Sequence, residues 1–450
     1  MCDVFAENWD KLTPDERFNA RMDVWQAPDV EFASAEVAQA YKDRVQLFRD
    51  AIQLKKPARV PIAPWIGLFP ALWDGMTARE AYYDFARLDV AWQKWHAEFK
   101  QDVLAFSINI APCEIFDVLD YKLYDWPGHG VPDTAGYQYV EKEWMHADEY
   151  DLLIADPSNY WQRFYLPRIF GAMEPWTTLS PFTDLVEAPL TGPFFIPFGT
   201  PPVQEMFKKL LEAGRVALEW IQAAGAMDGK ALATYGVPGF AGGATKAPYD
   251  ILGDTLRGTR GLMLDKFRRP EKVLEACERL VPLAIDWGVR ACDVNRHPLV
   301  FIPLHKGADG FLSDEDFRTF YWPTFKKVLL GLIEQGIVPL CFAEGGYNER
   351  LEAIHDPEIP AGRMIWMFDA TDMRAARKHL GGFQCFGGNV PGALITTGTP
   401  QDMDDYVRGL IDDVAGPGGF ILGSGIVIDD ARPECMKAMI DAGLRYGAEI

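Results

Sequence analysis

Short, continuously apolar runs alternate with longer amphipathic stretches through most of this chain. "PLVFIPLH", "IVPLCFAE", "RMIWMFD", "FQCFGGN" and "GFILGSG" are runs of the first kind. A run that is apolar at consecutive positions predicts a strand covered on both faces, as in a parallel sheet. Between them lie stretches with apolar residues at helical spacing. "PEKVLEACERLVPLAIDWGVRA" has Pro270 in its first turn, and "SDEDFRTFYWPTFKKVLLGLIEQG" has Ser313 as N-cap with Asp316 three residues on. Upstream, "RVPIAPW", "QDVLAFS" and "KALATYG" read as three more strands. "TAREAYYDFARLDVAWQKWHAEF" reads as a helix opened by a Thr77–Glu80 capping box. About eight strand–helix units in sequence predict an α/β fold, a (β/α)8 TIM barrel forming one domain.

Two segments stand outside this alternation. Residues 1–50 are amphipathic and read as a helical N-terminal extension. Residues 121–203 are crowded with Pro, Gly, Trp, Phe and Tyr, too apolar for disorder, and read as an insertion at one end of the barrel, a lid or partner surface.

Charge narrows the function classes. Asp and Glu number 65 against 44 Lys and Arg, a formal charge of −21, which argues against nucleic acid and anionic membrane as partners. No apolar run approaches a membrane span, and the N-terminus has no signal-peptide pattern. Seven widely spaced cysteines without a Cys-x-x-Cys pair predict free thiols in a reducing cytoplasm.

In a barrel of this kind the chemistry sits at the C-terminal ends of the strands. The polar residues there are Asn109, Tyr235, His305 with Lys306, Glu344, Asp369, Asn389 and Ser424. Glu344 is the most telling, a single carboxylate closing the apolar run "VPLCFA". Apolar walls would raise its pKa, or it would bind a cation or a hydrogen-bonding substrate. It could instead serve the dipole of the helix that follows, and Asp369 could cap the helix starting near Asp372. His305 reads equally as a core histidine or a functional one. Asn389 follows two glycines, where it could accept an unusual backbone angle. Cys341 and Glu344, three apart on one strand, face opposite ways, so Cys341 is expected against the helices. Trp65, Phe69, Trp73, Phe106, Tyr235 and Phe240 fall near the expected mouth and could line an aromatic site.

The C-terminal half, "FGGNVPGALITTGTPQDMDDYVRGLIDDVAGPGGFILGSG" followed by "ARPECMKAMIDAG", resembles the uroporphyrinogen decarboxylase superfamily. The likeness extends through "FLSDEDFRTFYWPTFKKVL" and "RVPIAPW", covering roughly residues 45–120 and 205–447. It implies a TIM barrel and one of two chemistries: cofactor-free decarboxylation, or methyl transfer between a corrinoid protein and a thiol or methylated compound, often with zinc.

Departures from the family pattern favour the second chemistry without its thiol half. Where the decarboxylases carry an Arg-rich loop, this chain reads "PWIGLFPALWDG"; their essential Asp falls at Ile108 and their His at about Ser424. The zinc methyltransferases' His-x-Cys falls at Phe342 and Glu344, and their last Cys at Ile426. The resemblance therefore implies a methyltransferase or demethylase moving a methyl group from a small compound, such as an aryl methyl ether, to cobalamin on a corrinoid protein. Glu344, His305 and Asp369 are the expected catalytic groups, and Tyr235, Trp65, Lys306, Tyr347, Asn389 and Ser424 the expected substrate contacts. Zinc held by His305 and Glu344 is the metal candidate, and a homodimer fits the same resemblance. The alternative is a cofactor-free decarboxylase or lyase of a small carboxylic acid.

Overall fold

The computed structural model describes residues 8–104 and 112–450. Asn109, Phe106 and Ile108 lie outside the described residues. The elements used below are α1 (Pro14–Gln26), α2 (Ala35–Ile52), α3 (Phe85–Glu98), β1 (Tyr124–Pro127), β2 (Gly130–Val131), β3 (Gln138–Tyr139), α4 (Pro201–Tyr235), α5 (Pro270–Val294), β4 (Leu299–Leu304), α6 (Trp322–Glu334), β5 (Val338–Ala343), β6 (Ile365–Phe368), α7 (Met373–Leu380), β7 (Cys385–Val390), α8 (Pro400–Val414), β8 (Phe420–Ser424) and α9 (Pro433–Tyr446).

The continuously apolar runs form one parallel sheet in the order β4-β5-β6-β7-β8. The register pairs Leu340 with Ile365, Ile365 with Cys385 and Phe386 with Phe420. Every residue of β5 is buried, because side chains on both faces meet apolar neighbours. Alternation along the strands splits the core in two. Leu340, Phe342, Met367 and Ile421 join an inner cluster, which Phe18, Trp25, Val45 and Phe48 of α1 and α2 close at one end. Cys341, Trp366, Phe386 and Leu422 face the helices in the outer cluster. Cys341 thus packs outward, as the strand period requires, and Cys385 lies in the inner set.

Beyond β8 and β4 the backbone pairing continues through segments too short to count as strands. Ala63 N–H donates to Leu422 O, Asp102 N–H to Ile62 O, and Leu104 and Pro238–Phe240 exchange two bonds. Gly242 and Thr245 then donate to Leu299 and Phe301 of β4. Asp102 (1% exposed) ties this side together: Arg59 grips it at 2.6 and 2.5 Å, and Ile62 N–H donates to it at 2.8 Å.

One expected strand is misplaced in the sequence reading. "KALATYG" is the end of α4, a continuous helix of 35 residues whose C-cap Gly236 takes a left-handed φ of 63°. The Ala, Leu and Lys of this stretch are strong helix formers, and the helix runs through Asp228 and Gly229 into them. The third sheet segment is instead the Gly-rich stretch 237–245, which carries little apolar side chain and is held by backbone bonds on both sides. The Thr77–Glu80 and Ser313 caps form as expected, and α8 opens on a further capping box, Thr399–Asp402.

Within 121–203, β1, β2 and β3 make a small sheet in the order β2-β1-β3, followed by short helical turns. No helix among the described residues is long and apolar enough to cross a membrane.

Candidate active site

A dense polar cluster lies where β4 ends. His305 Nδ1–H donates to Asp254 Oδ2 at 2.5 Å, and its Nε2 stands 3.4 Å from Glu344 Oε1 at the end of β5. Lys306 Nζ lies 3.2 Å from the other Asp254 oxygen, and Lys246, at the end of the third sheet segment, also pairs with Asp254. Asp254 and Asp250 are four residues apart on the helical segment 248–256, hence on one face. Asp250 is fully buried and accepts from His305 N–H at 3.3 Å, Lys306 N–H at 2.8 Å and Tyr321 Oη–H at 2.7 Å. It braces the backbone that presents His305.

These contacts set the protonation states. Burial opposes charge on His305, but the hydrogen bonds to Asp254 and Glu344 outweigh it and push the imidazole up to about 10, so it is a cation at neutral pH. Burial likewise works against the Asp254 charge, and His305, Lys246 and Lys306 overcome it, holding that carboxyl far below the usual range. Asp250 moves the other way, pushed up by burial and by the Asp254 charge. Two carboxylates one helical turn apart are thereby driven to opposite behaviour.

Glu344 does not sit among apolar walls as expected. Its side chain is 46% exposed and faces His305. It does not cap the following helix either: the first helical residues after it are Asn348–Arg350. Asp372, not Asp369, caps α7. Asp369 instead accepts from Gly345 N–H at 2.9 Å, and burial raises its pKa. Glu344 and Asp369 are thus neighbours at adjacent strand ends.

Other expected contacts fall elsewhere. Tyr235, the last residue of α4, donates to Gln93 O of α3 at 3.2 Å and does not reach the cluster. Tyr347 is fully buried beside Trp366. Ser424 is fully buried, accepting from Trp65 N–H at 3.0 Å and donating to Ile426 O at 2.8 Å. Asn389 donates to Asp369 O at 2.9 Å and Thr371 O at 2.8 Å, tying β7 to the β6 loop. Gly388, not Asn389, takes the positive φ, 108°. Trp65 is buried in the inner cluster, its ring 5.0–5.7 Å from those of Phe342, Phe301 and Phe240. Phe69 and Trp73 pack instead around Phe99.

Lys246, Asp250 and Asp254 were missed in the sequence. Their signal was there: a Lys directly after a Gly-Gly-Ala-Thr stretch, then two Asp four apart in "YDILGDT". Placing the third strand too early hid them.

Part of the segment 121–203 lies beside this cluster. Tyr124 of β1 stacks edge-on against Tyr137 and Tyr139 at 5.4 and 5.6 Å. Burial raises all three phenols; the Asp254 charge adds to this at Tyr124 and Tyr139, and those of Asp429 and Glu344 at Tyr137, pushed up to about 12. Residues 143–145 are tied to the segment carrying Asp254. Trp144 and Met145 N–H both donate to Leu256 O, and buried Arg257 binds Asp265 at 2.6 Å, Glu143 at 3.0 Å and Met145 O. Beside it, a cavity of about 540 Å³ lined by Trp161, Tyr165, Ile251, Leu283 and Trp287 reaches Lys246. That volume suits a small aromatic compound.

Zinc does not fit these residues. Among the described residues no three His, Cys, Asp or Glu side chains converge as a metal set. Phe342 is packed on Trp65, and neither it nor Ile426 offers a donor.

Comparison with known proteins gives four findings. A methyltransferase from Methanosarcina mazei superposes at a TM-score of 0.57 over 89% of this chain and 98% of its own, at 13% identity, a likeness of fold. A B12-independent methionine synthase from Shewanella sp. W3-18-1, solved with selenomethionine, matches over 46% of this chain and 60% of its own, with 12% identity and a TM-score of 0.30, too low to define a shared fold. A search among curated proteins found no significant match. The family model described as uroporphyrinogen decarboxylase (URO-D) matches residues 204–446, more than half of the chain and the whole stretch that carries Lys246, Asp254, His305 and Glu344; the chain belongs to that family.

Proposed function

We propose that this protein is a cytoplasmic demethylase that transfers the methyl group of a small methylated compound, an aryl methyl ether, to the cobalt of a corrinoid held by a partner protein. The reading takes the parallel sheet and its three bridged segments as a closed (β/α)8 barrel, residues 1–50 as an extension of it, and residues 121–203 as the roof of the mouth.

The observation that carries the proposal is the imidazolium of His305, clamped between Asp254 and Glu344. Breaking an aryl ether leaves the bonding electron pair on oxygen, and that oxygen needs a proton. A phenol ionises near ~10, as tyrosine does. His305, pushed up to about 10, matches it, so proton transfer between the two is close to balanced. His305 Nε2–H gives the proton; Asp254 holds the ring and its charge; Glu344, exposed beside it, returns a proton from solvent. The corrinoid cobalt, as co-substrate, takes the methyl without the bonding electrons. The neighbouring cavity meets this cluster through Lys246, which pairs with Asp254; His305 and Glu344 do not line it.

The test mixes the protein with a reduced corrinoid protein and a panel of aryl methyl ethers, following the cobalt absorbance. Turnover that falls as pH rises through about 10, and collapses in His305→Gln, is the expected result. No change of the cobalt spectrum with any ether refutes the reading.

One observation favours a second reading. Lys246, His305 and Lys306 converge on a single carboxylate, Asp254, which is also how a site would hold a small acid. Corrinoid-independent release of carbon dioxide would select a decarboxylase.

A further inference from the structure

The cavity of about 540 Å³ beside the acid cluster lies between residues 157–165, the segment 248–256 and α5. Its walls are built in an unusual way. Trp161 and Tyr165 come from one π-helical turn, 161–165, and Ile251 and Thr255 from another, 251–256. Such turns are rare and occur mostly at functional sites, because the extra residue per turn re-aims side chains at the cost of regular hydrogen bonding. Three are present among the described residues, and two of them line this one cavity.

The third wall is one face of α5. Leu280, Leu283, Ala284 and Trp287 recur there at helical spacing. Leu280 and Ala284 are buried, but Leu283 is 40% and Trp287 45% exposed. An aliphatic and an indole side chain left open on a concave wall give apolar surface that a ligand would remove from water.

Charge defines the other half of that ligand. The lining holds two cations, Lys246 and Arg290, and neither Asp nor Glu, in a chain where acids outnumber bases 65 to 44. Arg290 is 70% exposed and already holds Asp286 at 2.9 Å, so it is a weak anchor. Lys246 is only 18% exposed. Its partner is Asp254, but that carboxylate also answers His305 and Lys306. Three cations therefore stand against Asp254 and the half-exposed Glu344, while burial drives Asp250 towards its neutral form. The Lys246 end of the cavity keeps an excess of positive charge.

We infer that this cavity is a second ligand site, taking a small aromatic carboxylic acid with its ring among Trp161, Tyr165 and Trp287 and its carboxylate on Lys246. Aromatic walls favour an aromatic guest, since ring edges attract ring faces; the Trp161 and Tyr165 rings already stand edge-on, 5.6 Å apart at 62°. The carboxylate gains a charge-assisted hydrogen bond in a partly dry setting. A neutral ligand of the same shape forgoes that bond, and a cation is repelled. The ligand is distinct from any compound that meets His305, because neither His305 nor Glu344 lines the cavity. The inference does not rest on the methyl-transfer reading, and its test uses neither corrinoid nor ether.

Isothermal titration calorimetry on the full chain, with benzoate and 2-naphthoate each set against its neutral amide, tests the assignment. Each acid should bind at one site per chain, about tenfold or more tightly than its amide. Lys246→Gln should bring the acid down to the level of the amide. Trp287→Ala should weaken both by about tenfold. Leu283→Glu, which sets a carboxylate in the wall, should abolish acid binding. Leu283 and Trp287 are half-exposed, so these two variants should keep the wild-type circular dichroism spectrum. No binding of either acid up to about 1 mM overturns the inference. Equal affinity for acid and amide overturns it too. An acid that binds Trp287→Ala and Leu283→Glu as tightly as wild type sits elsewhere, in the acid cluster itself, and equally refutes this site.

Discussion

Replacing Asp254 by Asn should lower the His305 pKa more than replacing Glu344 by Gln. Both carboxylates face the imidazole, but Asp254 is 2.5 Å away with its side chain 13% exposed, while Glu344 is 3.4 Å away and 46% exposed. His305 is raised from 6.5 to about 10. At about 1.4 kcal/mol per pKa unit, the full rise is worth roughly 4–5 kcal/mol. Solvent reaches the pair, since the His305 side chain is 31% exposed. Screening reduces the figure to about 2–3 kcal/mol, and most of that belongs to the closer, drier Asp254. The folded value lies above the unfolded one, so this stability is complete below about pH 6.5 and is lost as pH rises through about 10. With only seven histidines, 15N-histidine labelling makes the titration readable by NMR. His96 and His297, pushed down to about 4 by burial, provide contrast in the same spectrum. The wild-type His305 midpoint should lie near 10, fall by about two units or more in Asp254→Asn, and by about one or less in Glu344→Gln. A wild-type midpoint near 6.5, or equal movement in both variants, refutes the clamp.

Two further outcomes follow from buried polar ties. Asp102→Asn leaves Arg59 without its carboxylate beneath the sheet, and urea unfolding should show a loss of about 3–5 kcal/mol. Asn389→Ala removes both bonds to the loop after β6; amide exchange should rise at Asp369–Thr371, with about 1–3 kcal/mol lost overall.

What could be read from the chain depended on where side chains do the work. β4 to β8 were legible because they are wholly or, in β4, largely buried and therefore almost continuously apolar. The third sheet segment was not, because its pairing runs through the backbone of "GVPGFAGGA", while the preceding "KALATY" has the residues of a helix and is one. His305, Lys306, Glu344 and Asp369 were placed at strand ends from sequence, and three of them gather near β4 and β5. Asp254, their closest partner, sits on the helical segment after the misplaced strand, and the error in one element concealed the other. Asn389, Ser424 and Tyr347 show the limit of reasoning from position: each lies at a strand end or the loop after it, and each is turned into the protein.

The staple between the insertion and residues 256–257 has a consequence for how the site responds to load. Leu256 O holds Trp144 and Met145, and Arg257 holds Glu143, two and three residues past the carboxylate that shares a proton with His305. While these bonds hold, residues 143–145 and that carboxylate move together. Movement of residues 143–145 is therefore coupled, through Leu256 and Arg257, to the position of the carboxylate that holds the His305 charge.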